Sequence, residues 1–346
     1  MGINPFHGAN IHRFDMYICR MSQPTRILII RFSSMGDIVL TTPVIRRLKQ
    51  QLEGEVEIHY LTKKAFVPLL EHNPFIHRIH AMDKTVQENI PDLLEIPFDY
   101  IIDLHQNIRS RVVKRKLEKL TFTFKKLNFE KWLLVNFGIN RMPDVHVVDR
   151  YLDTIAAFGT EDDGKGLDYF LPENINLPSE LPSRFIAFAI GGAHIGKRMD
   201  AAKLIDIIQQ LSLPVVLLGG KEDVGIADEI KVALPNVIQW AGVLNIHQSA
   251  LVTRQAHVVV AGDTGLMHIA SAFGKNIVSL WGCTNPQLGM YPYRAGVDSV
   301  IVEPHGRKKR PCSKLGNKCK YGKNNRCIQA IENSEVISLI EKLSAR

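Results

Sequence analysis

The sequence predicts an α/β fold of two doubly wound, mostly parallel sheets, and three observations carry that expectation. Short apolar runs alternate with helical periodicity from Arg26 onward, a proline-rich stretch interrupts the rhythm at 171–184, and the rhythm then restarts. A chain of 346 residues suits two domains of the usual ~150 residues each. With 45% hydrophobic and 23% charged residues it can bury a sizeable core, which excludes a disordered or fibrous chain. Apolar runs such as 186–190 and 215–218 fall far short of the ~20 residues of a membrane span.

Residues 1–24 carry no basic head followed by an apolar core and no strand or helix period. They are expected to be a disordered or non-native extension rather than a signal peptide. A first domain is expected over 25–175. Its opening run at 26–32 contains Ile27-Leu28-Ile29-Ile30, the continuous apolar pattern of a strand covered on both faces. Ile38, Val39, Thr42, Ile45, Leu48 and Leu52 then predict a helix over 38–52. Strands are expected at 56–61, 79–82 and 100–104, and helices at 64–71, 86–94, 109–120, 130–137 and 148–158. Pro172, Pro178 and Pro182 mark 171–184 as the linker. A second domain, 176–346, is expected to hold strands at 184–190, 214–218, 257–261 and 276–281. Its helices are expected at 201–211, at 224–232, from about Gly265, and at 334–343, the last free to pack back on the first domain. Such sheets bind ligands at the carboxyl ends of their strands, so the cleft between the domains is the expected site.

The net charge is +8, yet nine cations fall between 307 and 326 with no acid among them, and the remainder is close to neutral. A nucleic-acid binder would carry a broader basic face. A confined patch suits an anionic small molecule, a phosphorylated lipid head group or a membrane surface. Five cysteines in a chain this long make no disulfide framework. Cys312, Cys319 and Cys327 lie in the basic segment, while Cys19 and Cys283 stand alone. Without the CxxC pair of structural zinc, no metal is expected, and the protein reads as reduced and cytoplasmic.

Four strand-to-helix junctions and one basic stretch carry the candidate chemistry. In Arg31-Phe32-Ser33-Ser34-Met35-Gly36-Asp37, Ser33, Ser34 and Gly36 form a polar turn that admits a ligand. Asp37 is either an acid favoured by the helix dipole or a carboxylate facing the cleft. The stretch 191–198 matches GxxxxGK, but Arg198 stands where a Ser or Thr would hold magnesium. A P-loop-like phosphotransferase, completed by Asp263, is therefore an alternative; either way Gly191, Gly192 and Lys197 suit a diphosphate. At 262–268, Asp263 or Thr264 caps the helix that begins at Gly265, or the free amides there receive a phosphate. His268, one turn on, faces the cleft or the core. Glu222 suits ribose hydroxyls or is a solvated acid. Arg109 and Arg111 meet an anionic acceptor or belong to a solvated helix face.

Together these pieces resemble one family. R-F-S-S-M-G-D-I-V-L-T-T-P-V, at 31–44, resembles the amino-terminal signature of the ADP-heptose:lipopolysaccharide heptosyltransferases, glycosyltransferase family nine. A-G-D-T-G-L-M-H-I-A-S-A-F-G, at 261–274, resembles their donor-site signature; 191–198 and R-P-C-S-K in the tail are also similar. The likeness runs from Arg26 to the C-terminus. It implies a GT-B architecture, two Rossmann-like domains facing across a cleft, with the acceptor on the first and the nucleotide-sugar on the second. It also implies inverting, metal-independent transfer of heptose from ADP-heptose to the lipid-linked inner core of lipopolysaccharide. On this sequence Asp37 matches the catalytic base, within a signature that also holds Ser33, Ser34 and Gly36 on the acceptor side; Arg109 and Arg111 are expected on that side from their charge alone. Lys197, beside Gly191 and Gly192, matches a phosphate-binding lysine. Asp263, Thr264, Gly265 and His268 match the donor motif, and Glu222 a ribose-binding acid. No cofactor and no nucleic-acid partner are expected; the anionic acceptor and the basic stretches imply peripheral contact with the cytoplasmic face of the inner membrane. A non-enzymatic basic protein that binds nucleic acid or membrane is the remaining alternative.

Overall fold

Ile27, Leu28, Ile29 and Ile30 are all fully buried because their strand, β1 (Thr25–Ile30), lies mid-sheet. Side chains alternate across a strand, so Ile27 and Ile29 enter one core while Leu28 and Ile30 enter another on the opposite face. The computed structural model describes residues 23–192, 194–322 and 326–346. Almost all of the expected N-terminal extension, with Cys19, lies outside the described residues, as do Ala193 of the GxxxxGK stretch and Lys323 of the basic segment.

From β1 the chain runs through α1 (Met35–Val39), α2 (Thr42–Gln51), β2 (Val56–Lys63), β3 (Arg78–Met82) and α3 (Ile90–Leu94). It continues through β4 (Tyr100–Asp103), α4 (Ile108–Leu117), β5 (Leu120–Thr123), α5 (Asn128–Phe137) and α6 (Val147–Leu152). The strands are parallel in the order β3-β2-β1-β4-β5. The single helix expected over 38–52 is two, because Pro43 lacks an N–H and its ring would strike the carbonyl of Val39. Pro43 sits instead in the first turn of α2, where the missing donor costs nothing. The helices expected at 64–71 and toward 158 are 3-10 turns at Lys64–Leu69 and Asp153–Phe158. The strand β5 was hidden in the sequence because an exposed edge strand has no buried apolar run.

The second sheet repeats the plan with β6 (Ile186–Ala189), α7 (Ala201–Ile208), β7 (Val215–Leu218), α8 (Val224–Ala233) and β8 (Ile238–Gln239). There follow α9 (Ile246–Gln255), β9 (Val258–Gly262), α10 (Gly265–Ala272), β10 (Ile277–Leu280), β11 (Val300–Val302) and α11 (Asn333–Ser344). Its order is β11-β10-β9-β6-β7-β8, again parallel. The short strands β8 and β11 and the polar helix α9 escaped the sequence pattern. Helix α11 does not return to the first domain. Val336, Ile340 and Leu343 are buried in the core of the second sheet, where α11 packs on α7, β9 and β10. At about 1.5–3 kcal/mol for each such side chain, that docking decides its place.

The two halves meet closely. The core around β1 continues into Ala250, Ile269 and Tyr293 of the second half. The buried cations Arg46 and Arg47 of α2 are matched by acids of the connecting segment: Arg46 with Asp163 at 2.7 Å and with Asp168, and Arg47 with Asp162 at 2.5 Å. Arg294, from the far side, also pairs with Asp162. In each sheet the winding reverses beside its first strand, between β1 and β4 and between β6 and β9. Loops leaving the carboxyl ends there diverge and open a crevice. Among the described residues no helix is long and apolar enough to cross a membrane.

Candidate active site

At the front crevice β1 runs out into Arg31, whose guanidinium organises the turn. Its Nε donates to the Ser33 carbonyl at 2.8 Å and its Nη1 to the Leu104 carbonyl, beyond β4, at 2.5 Å. Its Nη2 lies 2.6 Å from Asp37 Oδ1. Asp37 Oδ2 accepts from the Ser34 N–H at 3.1 Å and the Ser34 hydroxyl at 2.8 Å. Burial alone would push the Asp37 carboxyl up; the Arg31 charge and the Ser34 hydrogen bonds outweigh it and hold the group below the usual carboxylate range. Asp37 is thus an ionised acceptor at neutral pH. The carboxylate serves the first turn of α1, as the dipole reading expects, and keeps part of its surface exposed.

At the rear crevice Lys197, beyond β6, meets Asp263, beyond β9. Its Nζ is 2.7 Å from Asp263 Oδ2 and 2.9 Å from the Asp263 carbonyl. Two of its three donors are used and one remains. Thr264 precedes α10 but makes no capping bond, and its hydroxyl is buried without a partner among the described residues. The first amides of α10 are therefore unclaimed by that side chain, and the dipole adds a partial positive charge there. This turn is equipped to hold a diphosphate.

The contact between the halves brings these turns together. A methyl group added to Gly36 would stand 2.5 Å from Cδ2 of His268, so the backbone beside Asp37 lies against the His268 ring. Met35 lies likewise against Gly265. His268 is buried, and burial lowers it to about 4, against the opposing pull of Asp263 and Asp37. It is a neutral imidazole at the junction, its Nδ1 unpartnered among the described residues. The packing of α1 on α10 thus sets a fixed carboxylate near a turn whose amides are suited to a diphosphate.

Cations line the same space. Burial and the charges of Arg150 and Lys314 push the Lys131 amine down to about 7, while Asp37 pulls it up. Lys126 is lowered by burial and by Arg31 and Lys314. Lys314 donates to Asn128 Oδ1 at 2.8 Å, across from the second half to α5. Arg150 is buried with none of its three guanidinium nitrogens hydrogen-bonded among the described residues, over the ring of Phe124 at 5.4 Å. A desolvated, unpartnered guanidinium is costly unless an anion meets it.

The model for "Glycosyltransferase family 9 (heptosyltransferase)" matches residues 90–320. The chain belongs to glycosyltransferase family 9. Lipopolysaccharide heptosyltransferase 1 of Campylobacter coli is 22% identical over 92% of this chain and 98% of its own. The family 9 glycosyl transferase of Veillonella parvula DSM 2008 superposes with a TM-score of 0.71 at 22% identity, covering 93% of this chain and 97% of that one. Escherichia coli heptosyltransferase WaaC, solved with ADP, gives 0.66 at 17% identity, over 92% and 100%. These likenesses are of fold, and the fold is GT-B.

For this family 9 glycosyltransferase the P-loop alternative lapses. Residues Ile195–Lys197 form a 3-10 turn, the next helix starts only at Ala201, and Lys197 is engaged by Asp263. Arg198, in the hydroxyl's place, donates to the Gly192 carbonyl at 2.5 Å and lies 3.7 Å from Asp223. Asp223 fills the space a Cβ on Gly191 would need and accepts from the Gly220 N–H at 2.8 Å. Glu222 stands beside this loop, largely exposed, 3.8 Å from Arg198. The free basic-patch alternative lapses too, because the segment's cations are partly internal. Arg310 donates to the carbonyls of Trp281, Gly282 and Thr284 and pairs with Glu303, and Arg326 pairs with Asp200. Arg109 and Arg111 are exposed on α4, whereas the cations whose charges meet around Asp37 are Arg31, Lys126, Lys131 and Lys314. Sequence reasoning gave none of these four a role of its own, although Arg31 and Lys314 lie in stretches it quoted, and it gave none to Arg150 or Asp223. Arg31 had a signal, as a cation directly after the apolar run Ile27–Ile30; Arg150 and Lys131 look like ordinary helix charges until folded.

Proposed function

We propose that this glycosyltransferase moves heptose from ADP-heptose to an anionic, lipid-linked saccharide of the lipopolysaccharide inner core, with inversion. The observation that carries this reading is the packing of Gly36 on His268, which sets the Asp37 carboxylate beside the Asp263–His268 turn. The ADP found with the E. coli relative fits a diphosphate at that turn. The acceptor hydroxyl attacks the anomeric carbon, the new C–O bond forms as the sugar–phosphate bond breaks, the hydroxyl proton passes to Asp37, and ADP departs. Lys197 and the α10 amides stabilise the charge that gathers on the diphosphate. Gly191, Gly192 and Asp223 shape the adjoining loop, with Glu222 toward the ribose.

Arg150, Lys126, Lys131 and Lys314 suit the phosphates or carboxylates of the acceptor. Phe129, Trp132 and Phe137 lie exposed on α5 beside this cluster, with the Trp132 ring 5.1 Å from Phe137 and 6.1 Å from Phe129. An exposed aromatic helix face of this kind, beside the cations of the site, suits a membrane interface from which a lipid-linked acceptor is drawn. Peripheral residence at the cytoplasmic face of the inner membrane is part of the proposal. The test is Asp37→Ala with ADP-heptose and an inner-core acceptor. Transfer should fall about 10²–10⁴-fold, while ADP affinity measured by calorimetry stays essentially unchanged. Transfer close to wild type would sink the assignment.

A further inference from the structure

Four cysteines meet outside the site just described. Cys283 follows β10, and Cys312, Cys319 and Cys327 come from the basic segment; their sulfurs all lie within 4.8 Å of one another, and three of the four residues are buried. The sulfurs of Cys312 and Cys327 are 3.7 Å apart. Metal–sulfur bonds of ~2.3 Å directed to the corners of a tetrahedron place neighbouring sulfurs about 3.8 Å apart. A disulfide would join the thiols only in pairs, and a cluster of several irons would spread its cysteines around a larger body.

The surroundings point the same way. Between β11 and α11 the described residues form no strand or α-helix, and the apolar cluster beneath them consists of the four cysteines and Tyr321. Apart from Ile328 and Ile331 near its end, a loop of that length buries few apolar side chains besides the cysteines, so another cross-link is needed to hold one shape. Four thiolates on a divalent ion carry a net charge of −2, and Lys314, Lys318 and Lys320 on the same loop offset it. The expectation of no metal rested on the missing CxxC pair; the fold supplies the fourth ligand from Cys283, which spacing could not reveal.

We propose that Cys283, Cys312, Cys319 and Cys327 hold one soft divalent transition-metal ion, Zn(II) or Fe(II), as a closed structural site. Each thiol loses its proton on ligation, so loading the ion releases protons to solvent. With four protein ligands no position is left open for substrate, which keeps the ion out of the transfer chemistry. Its role is positional. The Cys283 N–H donates to the Gly196 carbonyl at 3.3 Å, the Gly196 N–H to the Gly316 carbonyl at 3.1 Å, and the Cys312 N–H to the Cys283 carbonyl at 2.8 Å. A Cβ on Gly196 would collide with both Gly316 and Cys283. The knot thus clamps the turn that carries Lys197 and, through Lys314, reaches α5.

Elemental analysis of the purified full-length protein, after gel filtration in excess EDTA, should find about one zinc or iron per chain and shows which it is. Titrating the native protein with a mercurial should release the ion in step with thiol modification, read by a chromogenic chelator. Cobalt-loaded protein should show thiolate-to-cobalt charge-transfer bands. Cys283→Ser should lose most of the metal; the mercurial and cobalt measurements stand even if that variant folds poorly. Less than about a tenth of an ion per chain after growth in metal-supplemented medium, or mass-spectrometric disulfides among these four cysteines, would overturn the site.

Discussion

Gly36→Ala tests the contact on which the catalytic reading depends. The new methyl would stand 2.5 Å from His268 Cδ2 and 3.1 Å from its Nε2, against about 3.5–4.0 Å for ordinary carbon contacts. The ring is buried and cannot swing away, so α1 and α10 must separate by about 1 Å. Overpacking of this kind costs about 1–3 kcal/mol, so Tm should fall by several degrees. A misplacement of about 1 Å in reacting groups lowers turnover about 10²-fold. The assay pairs kcat for heptose transfer with calorimetric Tm. Gly265→Ala serves as the stability control, since its methyl meets mainly the thioether of Met35, a flexible and half-buried side chain. The double variant Gly36→Ala/His268→Ala should recover part of the Tm lost in Gly36→Ala, because it removes the obstructing ring. If Gly36→Ala keeps both its Tm and its kcat, the packing of α1 on α10 does not set the geometry of the site.

Two further substitutions separate charge from shape. Asp37 must be ionised to accept a proton, so activity is lost as pH falls through its pKa, which Arg31 holds below the ordinary value. In Arg31→Met the desolvation that Arg31 offset is opposed by the Ser34 hydrogen bonds alone, and the acid limb of kcat should move to higher pH; an unmoved limb would show that Arg31 serves shape alone. Arg150→Met should leave Tm unchanged or raise it, because among the described residues the buried guanidinium has no hydrogen bond, and Met keeps an apolar contact with the Phe124 ring. The acceptor KM should nonetheless rise at least about 30-fold, as when a charge contact worth about 2–5 kcal/mol is removed; an unchanged KM would place the acceptor's anionic groups elsewhere.

Local sequence determined a good deal here. Apolar runs such as Ile27–Ile30 specify central strands because burial on both faces leaves no room for alternation, and the glycine-bearing turns at strand ends mark where a ligand can approach backbone. Asp37, Lys197 and Asp263 were therefore legible as candidates from position alone. What sequence could not supply is which turn faces which. Gly36 and His268 are more than two hundred residues apart and touch only because two sheets, each winding outward from its first strand, present their carboxyl ends to one crevice. The same holds for Arg150 and Lys131, ordinary helix charges until packing strips their solvent, and for Cys283, solitary in the chain until β10 delivers it to three other thiols. Periodicity records the burial of each segment against its own sheet; long-range partners leave no periodic trace, so only the folded chain decides them.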